Sequence, residues 1–322
     1  MYSSSLTGKL VAGFGVMLIP VLVNATTINY GDFSTGAGLQ INGNAGAPAT
    51  GEDGVSKVLR LTPATGSQAG SAFSLNTVHL GSTASFSTAF TFQIWNHGYS
   101  GNYPDGTGNP AGADGIVFVL NTVSNSVGSA GQGVGYQGIP HSVGIKFDTW
   151  RDGASNGFPN DNDPNGNFVA IYKNGSTHLY DVGGPTSGYN NSATDALTYF
   201  TPADLMKNGA KWYSWIDYDG ASDQLEVRLS ETNVRPGVAI LSQTIDLSDP
   251  LYLGSSPAVY AGFTSGTGAE WDNHDILNWQ FNDTYNPITK PNGGAVPEPS
   301  TYGLLAAGLL AGLGAWRRSR KA

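Results

Sequence analysis

The body of this chain alternates apolar and polar residues with a period of two. Within 86–94, Phe and Ile alternate with Ser, Thr and Gln, and within 143–147 Val, Ile and Phe occupy every second position. Within 225–229, Leu, Val and Leu alternate with Glu and Arg. Because successive side chains of a strand point to opposite faces, each run predicts a β-strand with one buried face.

Turn signals separate these runs. Asn174-Gly175 and Asp219-Gly220 predict hairpins, and the wholly apolar run 115–120 predicts a central strand covered on both faces. One short helix is predicted over 201–209, which opens with Thr-Pro and closes with Gly. Strands do not alternate with long helices, so the predicted fold is all-β, a jelly-roll sandwich of antiparallel sheets.

Composition narrows the class of protein further. Hydrophobic residues make up 39% and charged residues only 12%, which excludes intrinsic disorder. The absence of cysteine excludes disulfides, thiolate metal sites and cysteine nucleophiles. Between Thr26 and Val296 there are ten basic and 23 acidic residues. This acidic surface argues against a nucleic-acid partner.

The N-terminal segment has the pattern of a secretory signal peptide. Lys9 precedes an apolar stretch from Leu10 to Val23. Val23-Asn24-Ala25 then supplies small residues at the positions expected for signal-peptide cleavage. We therefore expect a signal peptide over 1–25 and an exported domain over 26–285. A Pro- and Gly-containing linker follows at 286–296.

The C-terminal segment combines three ordered features: Pro297-Glu298-Pro299, an apolar stretch over 302–316 and a basic end over 317–321. Together they resemble the PEP-CTERM sorting signal of exopolysaccharide-producing Gram-negative bacteria, over 297–322. The resemblance implies a transmembrane sorting helix that anchors the chain transiently in the inner membrane. It also implies cleavage by an exosortase-type protease, and a final place in the cell envelope or extracellular matrix.

Two motifs suggest other functions, but each departs from its pattern. The glycines of 133–138 satisfy G-x-G-x-x-G, but Ile139-Pro140 and a strand follow where a dinucleotide site needs a helix. The segment 270–275 nearly spells the Glu-x-Asp-x-x-Glu of jelly-roll glycoside hydrolases. Its last position is Asp275, and we expect the segment to lie in a Gly-rich loop.

Short oxygen-bearing side chains crowd one stretch between two predicted strands. Asp148 and Asp152 are followed by Asn156, Asn160 and Asp163. Calcium takes six to eight oxygen ligands from carboxylates, amides and carbonyls, so this stretch is a candidate calcium loop. The alternative is an Asx-rich turn with solvated carboxylates.

Four ordered blocks of the sequence resemble the L-type (legume-like, concanavalin-type) lectins. The resemblance covers about residues 28–283 and implies a concanavalin-like sandwich. The blocks are Ala113-Asp114-Gly115-Ile116-Val117-Phe118, Gly131-Gln132-Gly133-Val134-Gly135-Tyr136, 143–150 with Asn162-Asp163-Pro164, and 262–270 with Ile276-Leu277-Asn278-Trp279.

The resemblance implies a role for each matching residue. In the family, the peptide bond equivalent to Ala113–Asp114 is cis, the aspartate accepts sugar hydroxyls, an aromatic ring stacks on the sugar and one calcium ion binds nearby. The implied carbohydrate-binding residues are Asp114, Gly133 through its N–H, Trp150 through its ring, Asp152 or Asn156, and the backbone of Ala269 and Glu270. The implied calcium ligands are Asp148, the carbonyl of Trp150, Asp152 and Asp163.

Three positions depart from the family pattern. Lys146 and Phe168 replace the Glu and His of a neighbouring transition-metal site, which we therefore expect to be lost. We hypothesise that the Lys146 ammonium replaces the missing cation. The family's calcium- and sugar-binding Asn is Asp152 by direct count, and Asn156 or Asn160 is the alternative.

The sequence thus predicts an exported, calcium-dependent carbohydrate-binding protein without catalytic activity. Its partners would be an exopolysaccharide or glycan and the sorting protease, with a homo-oligomer as an open possibility. Two alternatives remain, a glycan-cleaving enzyme on the same sandwich and a matrix or adhesion protein whose sugar site has degenerated.

Overall fold

A computed structural model of the chain describes residues 27–80, 83–100, 111–126, 130–152, 163–177, 199–250, 252–255 and 258–291. In these ranges the chain forms strands, numbered here along the chain, and one 3-10 turn, Gly131–Gly133. The expected signal peptide and the expected sorting helix lie outside them.

The strands form two antiparallel sheets. In the back sheet the order is β14-β13-β12-β7-β16-β4-β3, and β1 also pairs with β16. Its strands are β1 (Thr27–Tyr30), β3 (Gly46–Thr50), β4 (Lys57–Thr62), β7 (Phe86–Tyr99), β12 (Lys211–Asp219), β13 (Gln224–Ser230), β14 (Leu241–Thr244) and β16 (Glu270–Asn282).

The front sheet carries the predicted ligand loops. Its order is β11-β10-β9-β8-β15-β5-β2, and β6 also pairs with β15. Its strands are β2 (Leu39–Gly43), β5 (Ala69–Ser74), β6 (Val78–His79), β8 (Gly115–Asn121), β9 (Ser142–Asp148), β10 (Phe168–Lys173), β11 (Tyr199–Phe200) and β15 (Ala258–Gly266).

Aromatic rings fill the space between the sheets. Phe90 of the back sheet packs edge-on against Phe263 of the front sheet, with ring centroids 4.9 Å apart. Phe263 in turn meets Trp279 at 5.0 Å, and Phe90 meets Phe147 at 5.7 Å. Such rings bury large apolar areas, so a core of this kind holds two sheets together without disulfides.

The predicted strand pattern is confirmed. Phe90, Phe92 and Ile94 of β7 all face the core. The apolar run 115–120 forms β8, which is fully buried in the middle of the front sheet. The ring of Tyr136 lies over Gly144 on the outer side of this sheet, which explains why both faces are covered.

The two predicted hairpin turns have different outcomes. Asp219-Gly220 does connect a hairpin, since Asp219 pairs with Gln224 across β12 and β13. At Asn174-Gly175 the chain does turn, with positive φ at both residues. The strand β11 pairs with β10 at Val169 and Ala170, and residues 178–198 lie outside the described ranges, so the hairpin at this turn stays a prediction.

The predicted helix over 201–209 is wrong, because this segment forms turns and bends and no helix. The side chain of Asn167 forms hydrogen bonds with backbone groups of this segment that a helix would pair internally. Its amide nitrogen donates to the carbonyls of Pro202 (3.3 Å) and Asp204 (3.0 Å), and its oxygen accepts the N–H of Met206 (2.9 Å). The segment is thereby fastened beside β10 in an irregular conformation.

The strand ends place the predicted ligand loops together. Gly115, at the start of β8, pairs with Asp148 at the end of β9 and with Gly266 at the end of β15. Strands β7 and β16 run the length of the back sheet, and Glu270 pairs with Tyr99 at this same end. At the far end of β7, the N–H of Asn286 donates to the Ser87 hydroxyl at 3.0 Å.

Candidate functional site

Asp114 lies at the centre of the loops at this end of the front sheet. Its N–H donates to the carbonyl of Gly266 at 3.1 Å, and its carbonyl accepts the N–H of Thr149 at 3.2 Å. The peptide bond Ala113–Asp114 is cis, as the resemblance implied. These contacts fix the carboxylate between the β8, β9 and β15 ends.

The Asp114 side chain is buried, and its Oδ2 atom has no hydrogen-bond partner in the described structure. Burial is the main cause that raises the pKa of Asp114 well above the usual range, followed by the nearby carboxylate of Asp152. A carbon placed on Gly268 would lie 3.6 Å from Asp114 Oδ2 and 3.7 Å from the Cα of Gly131. Glycine backbone therefore lies close to the unpaired carboxylate oxygen.

The Gly-rich block 131–136 packs against the segment 266–268. The N–H of Gly131 donates to the carbonyl of Thr267 at 3.2 Å. The N–H of Gly133, the predicted sugar donor, is directed to the carbonyl of Ala130 at 3.3 Å. Gly131 is therefore held against the 266–268 segment, and its Cα lies 3.7 Å from a carbon placed on Gly268.

The predicted calcium ligands in the described ranges also converge. Asp148 Oδ1 accepts the N–H of Trp150 at 2.8 Å. Asp163 Oδ2 accepts the N–H of Asp152 at 2.9 Å, and the N–H of Asp163 donates to the carbonyl of Asp152 at 3.2 Å. Asn156 and Asn160 lie outside the described residues.

The carboxylates of this loop are buried together. Burial is the main cause that raises the pKa of Asp148, Asp152 and Asp163, and for Asp152 the value reaches about 7. Mutual repulsion adds to the shift at Asp152 and Asp163. In the described parts of the chain, no three Asp, Glu or His side chains are arranged as a metal site by themselves.

The ammonium of Lys146 contacts the Asp148 carboxylate, and both side chains are buried. Its Nζ atom also lies 5.9 Å from the ring centroids of Phe168 and Tyr172. Burial lowers the pKa of Lys146, but the nearby carboxylates, led by Asp148, raise it well above the usual value. A permanent cation therefore lies beside the predicted calcium loop.

Sequence reasoning missed one buried cation, Lys207. Its Nζ atom donates to the carbonyls of Gly112 (2.8 Å) and Thr149 (2.9 Å). Lys207 lies in the segment that was predicted to be a helix. No sequence pattern marks it, because its contacts depend on how that segment folds against β10.

The segment 270–275 lies in strand β16, so the predicted Gly-rich loop was wrong for it. Glu270 accepts the N–H of Gly112 at 2.8 Å, and Asp272 is buried near the same residue. Asp275 is instead held by Arg60, which donates to both of its oxygens at 2.8 Å, and by the indole of Trp95 at 2.8 Å. Asp275 is thus occupied in an ion pair.

Comparison with known families identifies the domain. The family of the legume lectin beta-barrel domain matches residues 32–279. The chain belongs to the legume (L-type) lectin family. This lectin therefore carries a carbohydrate-binding type of domain over most of its length.

Plant receptor kinases are among the curated relatives of this lectin. A probable L-type lectin-domain containing receptor kinase, S.7, of Arabidopsis thaliana is 34% identical over 212 residues, 62% of this chain and 26% of the relative. Receptor kinase VIII.1 of the same plant is 27% identical over 90% of this chain and 36% of its own length. The lectin thus spans about a quarter to a third of these relatives.

Solved legume lectins have the same fold. A lectin from Bauhinia forficata in complex with GalNAc superposes with a TM-score of 0.57 at 21% identity, over 80% of this chain and 97% of that one. Lectin II from Ulex europaeus gives a TM-score of 0.58 at 20% identity, over 80% and 98%. These matches agree with the two-sheet sandwich.

The PEP-CTERM protein-sorting motif matches residues 295–321. It implies export and sorting to the cell envelope. Within the described ranges, the structure has no helix of the length and apolar character that a membrane crossing needs.

Proposed function

We propose that this lectin is an exported, calcium-dependent carbohydrate-binding protein without catalytic activity. The observation that carries the proposal is the position of Asp114. Its buried carboxylate oxygen has no hydrogen-bond partner in the described structure and lies beside Gly268, which in turn adjoins Gly131, and the carboxylates of the candidate calcium loop are nearby.

The donor chemistry of the calcium loop fits one calcium ion. Asp148, Asp163 and Asp152 would supply carboxylates and the Trp150 carbonyl a neutral oxygen, with Asn156 or Asn160 as the alternative to Asp152. A bound calcium ion neutralises this charge. The raised pKa values of the three aspartates support this role, since buried carboxylates that repel each other favour a bound cation.

The same loop does not fit a second, transition-metal ion. Lys146 places a positive charge against Asp148, and Phe168 offers no ligand atom. The Lys146 ammonium reduces the repulsion among Asp148, Asp152 and Asp163, which is what a second metal ion would otherwise do. Metal analysis of the purified protein should therefore find one equivalent of calcium and no manganese. One equivalent of each metal would contradict this assignment.

The sugar would bind above Asp114. The carboxylate accepts hydrogen bonds from sugar hydroxyls, and the Trp150 ring covers the C–H face of the sugar. The backbone at Ala269 and Glu270 borders this position, where the Ala269 carbonyl already accepts the N–H of Ser100 at 2.8 Å. Asp152 or Asn156 would add a polar contact to the sugar. The N–H of Gly133 would donate to a sugar hydroxyl, and for this it would have to break its hydrogen bond to the Ala130 carbonyl.

A glycan array of the full chain tests the proposal, with calcium and with EDTA. Mannose, galactose and N-acetylgalactosamine should be among the sugars. We expect binding that EDTA abolishes and that Asp114→Asn reduces at least about tenfold, since a hydrogen bond to a charged group contributes about 1.5–3 kcal/mol. Asp53→Asn, at an exposed turn, is the matched control. Binding to none of the sugars would favour a degenerate site.

A glycan-cleaving activity has less support. Retaining hydrolysis needs two carboxyl groups about 5 Å apart. Asp275, the second carboxyl of the resembling motif, is held by Arg60 and Trp95 instead. Reducing-sugar release from exopolysaccharide that is lost in Glu270→Gln would overturn this conclusion.

The sorting motif sets the proposed location. After export, an exosortase-type protease would process the chain at 297–322, and the lectin would remain in the envelope or exopolysaccharide matrix of a Gram-negative bacterium. Many copies on one surface, or a homo-oligomer, would raise the avidity of a site that binds a single sugar weakly. Deleting 297–322 should release the lectin into the medium.

A further inference from the structure

Lys207 belongs to none of the implied binding residues, yet its ammonium lies between two loops of the site. The residue is in the turn segment between β11 and β12, and its side chain is 1% exposed. It donates to the carbonyls of Gly112 and Thr149 at 2.8 and 2.9 Å. These two carbonyls belong to segments that are far apart in the sequence.

Both carbonyls are close to the residues that would bind the ligand. Gly112 is two residues before Asp114, and Thr149 directly follows Asp148. The N–H of Thr149 donates to the Asp114 carbonyl at 3.2 Å. Lys207 therefore closes a ring of contacts that joins the Asp114 loop to the calcium loop.

The third segment in this arrangement is the start of β16. The N–H of Gly112 donates to Glu270 at 2.8 Å, so one peptide segment is held by Glu270 on one side and by Lys207 on the other. Asp272 is fully buried, and neither of its oxygens has a hydrogen-bond partner. Burial raises the pKa of Asp272, and the charge of Lys207 is the main influence that opposes this shift.

The position of Lys207 is itself fixed. The N–H of the preceding residue, Met206, donates to Asn167 at 2.9 Å, and Asn167 also binds the carbonyls of Pro202 and Asp204. Asn167 lies four residues after Asp163. The ammonium is therefore attached to the end of the calcium loop through a short, hydrogen-bonded segment.

We propose that Lys207 is a positioning residue, whose ammonium holds the Asp114 loop and the calcium loop in the relative arrangement that carbohydrate binding requires. A methionine of similar length fills the same space but donates no hydrogen bonds. Lys207→Met would then leave two buried carbonyls unpaired and would let the two loops move apart. For its binding readout the inference rests on the proposed function.

Hydrogen–deuterium exchange of the full chain tests the positioning without any ligand. In Lys207→Met, the amides of 111–114 and 149–152 should exchange at least about tenfold faster, since a hydrogen bond to a charged group contributes about 1.5–3 kcal/mol. Lys211→Met removes an exposed lysine of β12 and should leave them unchanged. Equal exchange in both variants would overturn the inference.

A glycan titration in calcium adds the functional readout. Lys207→Met should bind at least about tenfold more weakly than Lys211→Met, and Lys207→Arg should recover part of the affinity because it keeps the charge and N–H donors. Full affinity in Lys207→Met would also overturn the inference. A wild-type protein that binds no glycan would refute the proposed function, and the exchange data would still decide the role of Lys207.

If Lys207→Met does not fold, Lys207→Gln is the variant to test. The glutamine side chain is one atom shorter and uncharged, so the amides of 111–114 and 149–152 should still exchange faster than in Lys211→Met. Protection equal to that of Lys211→Met would contradict the proposal.

Discussion

The Nδ1 atom of His274 lies 2.7 Å from the hydroxyl oxygen of Thr62, between the two sheets. The Thr62 hydroxyl is 3.0 Å from that of Ser265, which donates to the carbonyl of Gly115 at 2.8 Å. Because the Ser265 proton goes to Gly115, Thr62 must donate to Ser265 and His274 must donate to Thr62. His274 therefore carries a proton on Nδ1, and its buried Nε2 atom has no hydrogen-bond partner in the described structure.

This arrangement predicts a pH dependence of stability. Burial lowers the pKa of His274 to about 3 from 6.5. The unfolded chain takes up this proton below about pH 6.5, whereas the folded chain does so only near pH 3. The contribution of His274 is therefore complete above about pH 6.5 and is lost as the pH falls, by about 1.4 kcal/mol per pH unit.

Urea unfolding of the wild type and of His274→Asn, between pH 7 and pH 4, measures this contribution. The carboxylates titrate in both proteins, so the difference between the two free energies of unfolding isolates the histidine. We expect the wild type to lose its advantage as the pH falls. A difference that is equal at pH 7 and pH 5 would disprove the assignment.

Lys146→Met should destabilise the protein, because it leaves Asp148 buried without its cation. Breaking a buried ion pair in this way costs about 3–5 kcal/mol. Added calcium should stabilise the variant more than the wild type, because it would supply the lost charge. Thermal unfolding with calcium and with EDTA checks this, and Lys57→Met, at an exposed position of β4, is the control. An equal calcium response in both proteins would count against the role of Lys146.

Asp275→Asn should lower the free energy of unfolding by about 3 kcal/mol, since it breaks the partly buried pair with Arg60. Glycan binding should be unchanged, because Asp275 is occupied in its ion pair and not in the sugar site. Chemical denaturation and the glycan titration measure the two effects. Lost binding at full stability would show that Asp275 contacts the ligand.

Gly115→Ala should destabilise the protein strongly. Gly115 has φ +121°, and a Cβ atom there would lie 2.2 Å from the carbonyl oxygen of Phe147. Gly46→Ala is the matched control, because Gly46 has no heavy atom within 4 Å of its Cβ position. The two thermal midpoints should differ by several degrees. Similar midpoints would mean that β9 shifts easily away from β8.

The sheets could be predicted because their signal is local. The alternation of Phe90, Phe92 and Ile94 in β7 and the apolar run of β8 are read directly from neighbouring residues. The Asp114 block and the candidate calcium loop could be proposed because their residues match short family motifs. In each case, the information lies within a few consecutive positions.

The remaining features depend on contacts between distant segments. The helix predicted over 201–209 had suitable end residues, but the side chain of Asn167 binds the backbone there instead. Lys207 can reach the carbonyls of Gly112 and Thr149 only because this segment is irregular and not helical. His274 is likewise a polar residue among strands, and its pairing with Thr62 depends on how β4 and β16 align.

The length of β16 has a consequence for how the lectin is displayed. The strand starts beside the candidate sugar site and continues to Asn282, and the N–H of Asn286 then donates to Ser87 of β7. Thirteen residues at about 3.3 Å each separate the two ends by roughly 40 Å. The residues that follow Asn286 therefore start at the end of the sandwich opposite the candidate sugar site, so a partner that bound the C-terminal segment would leave that site uncovered.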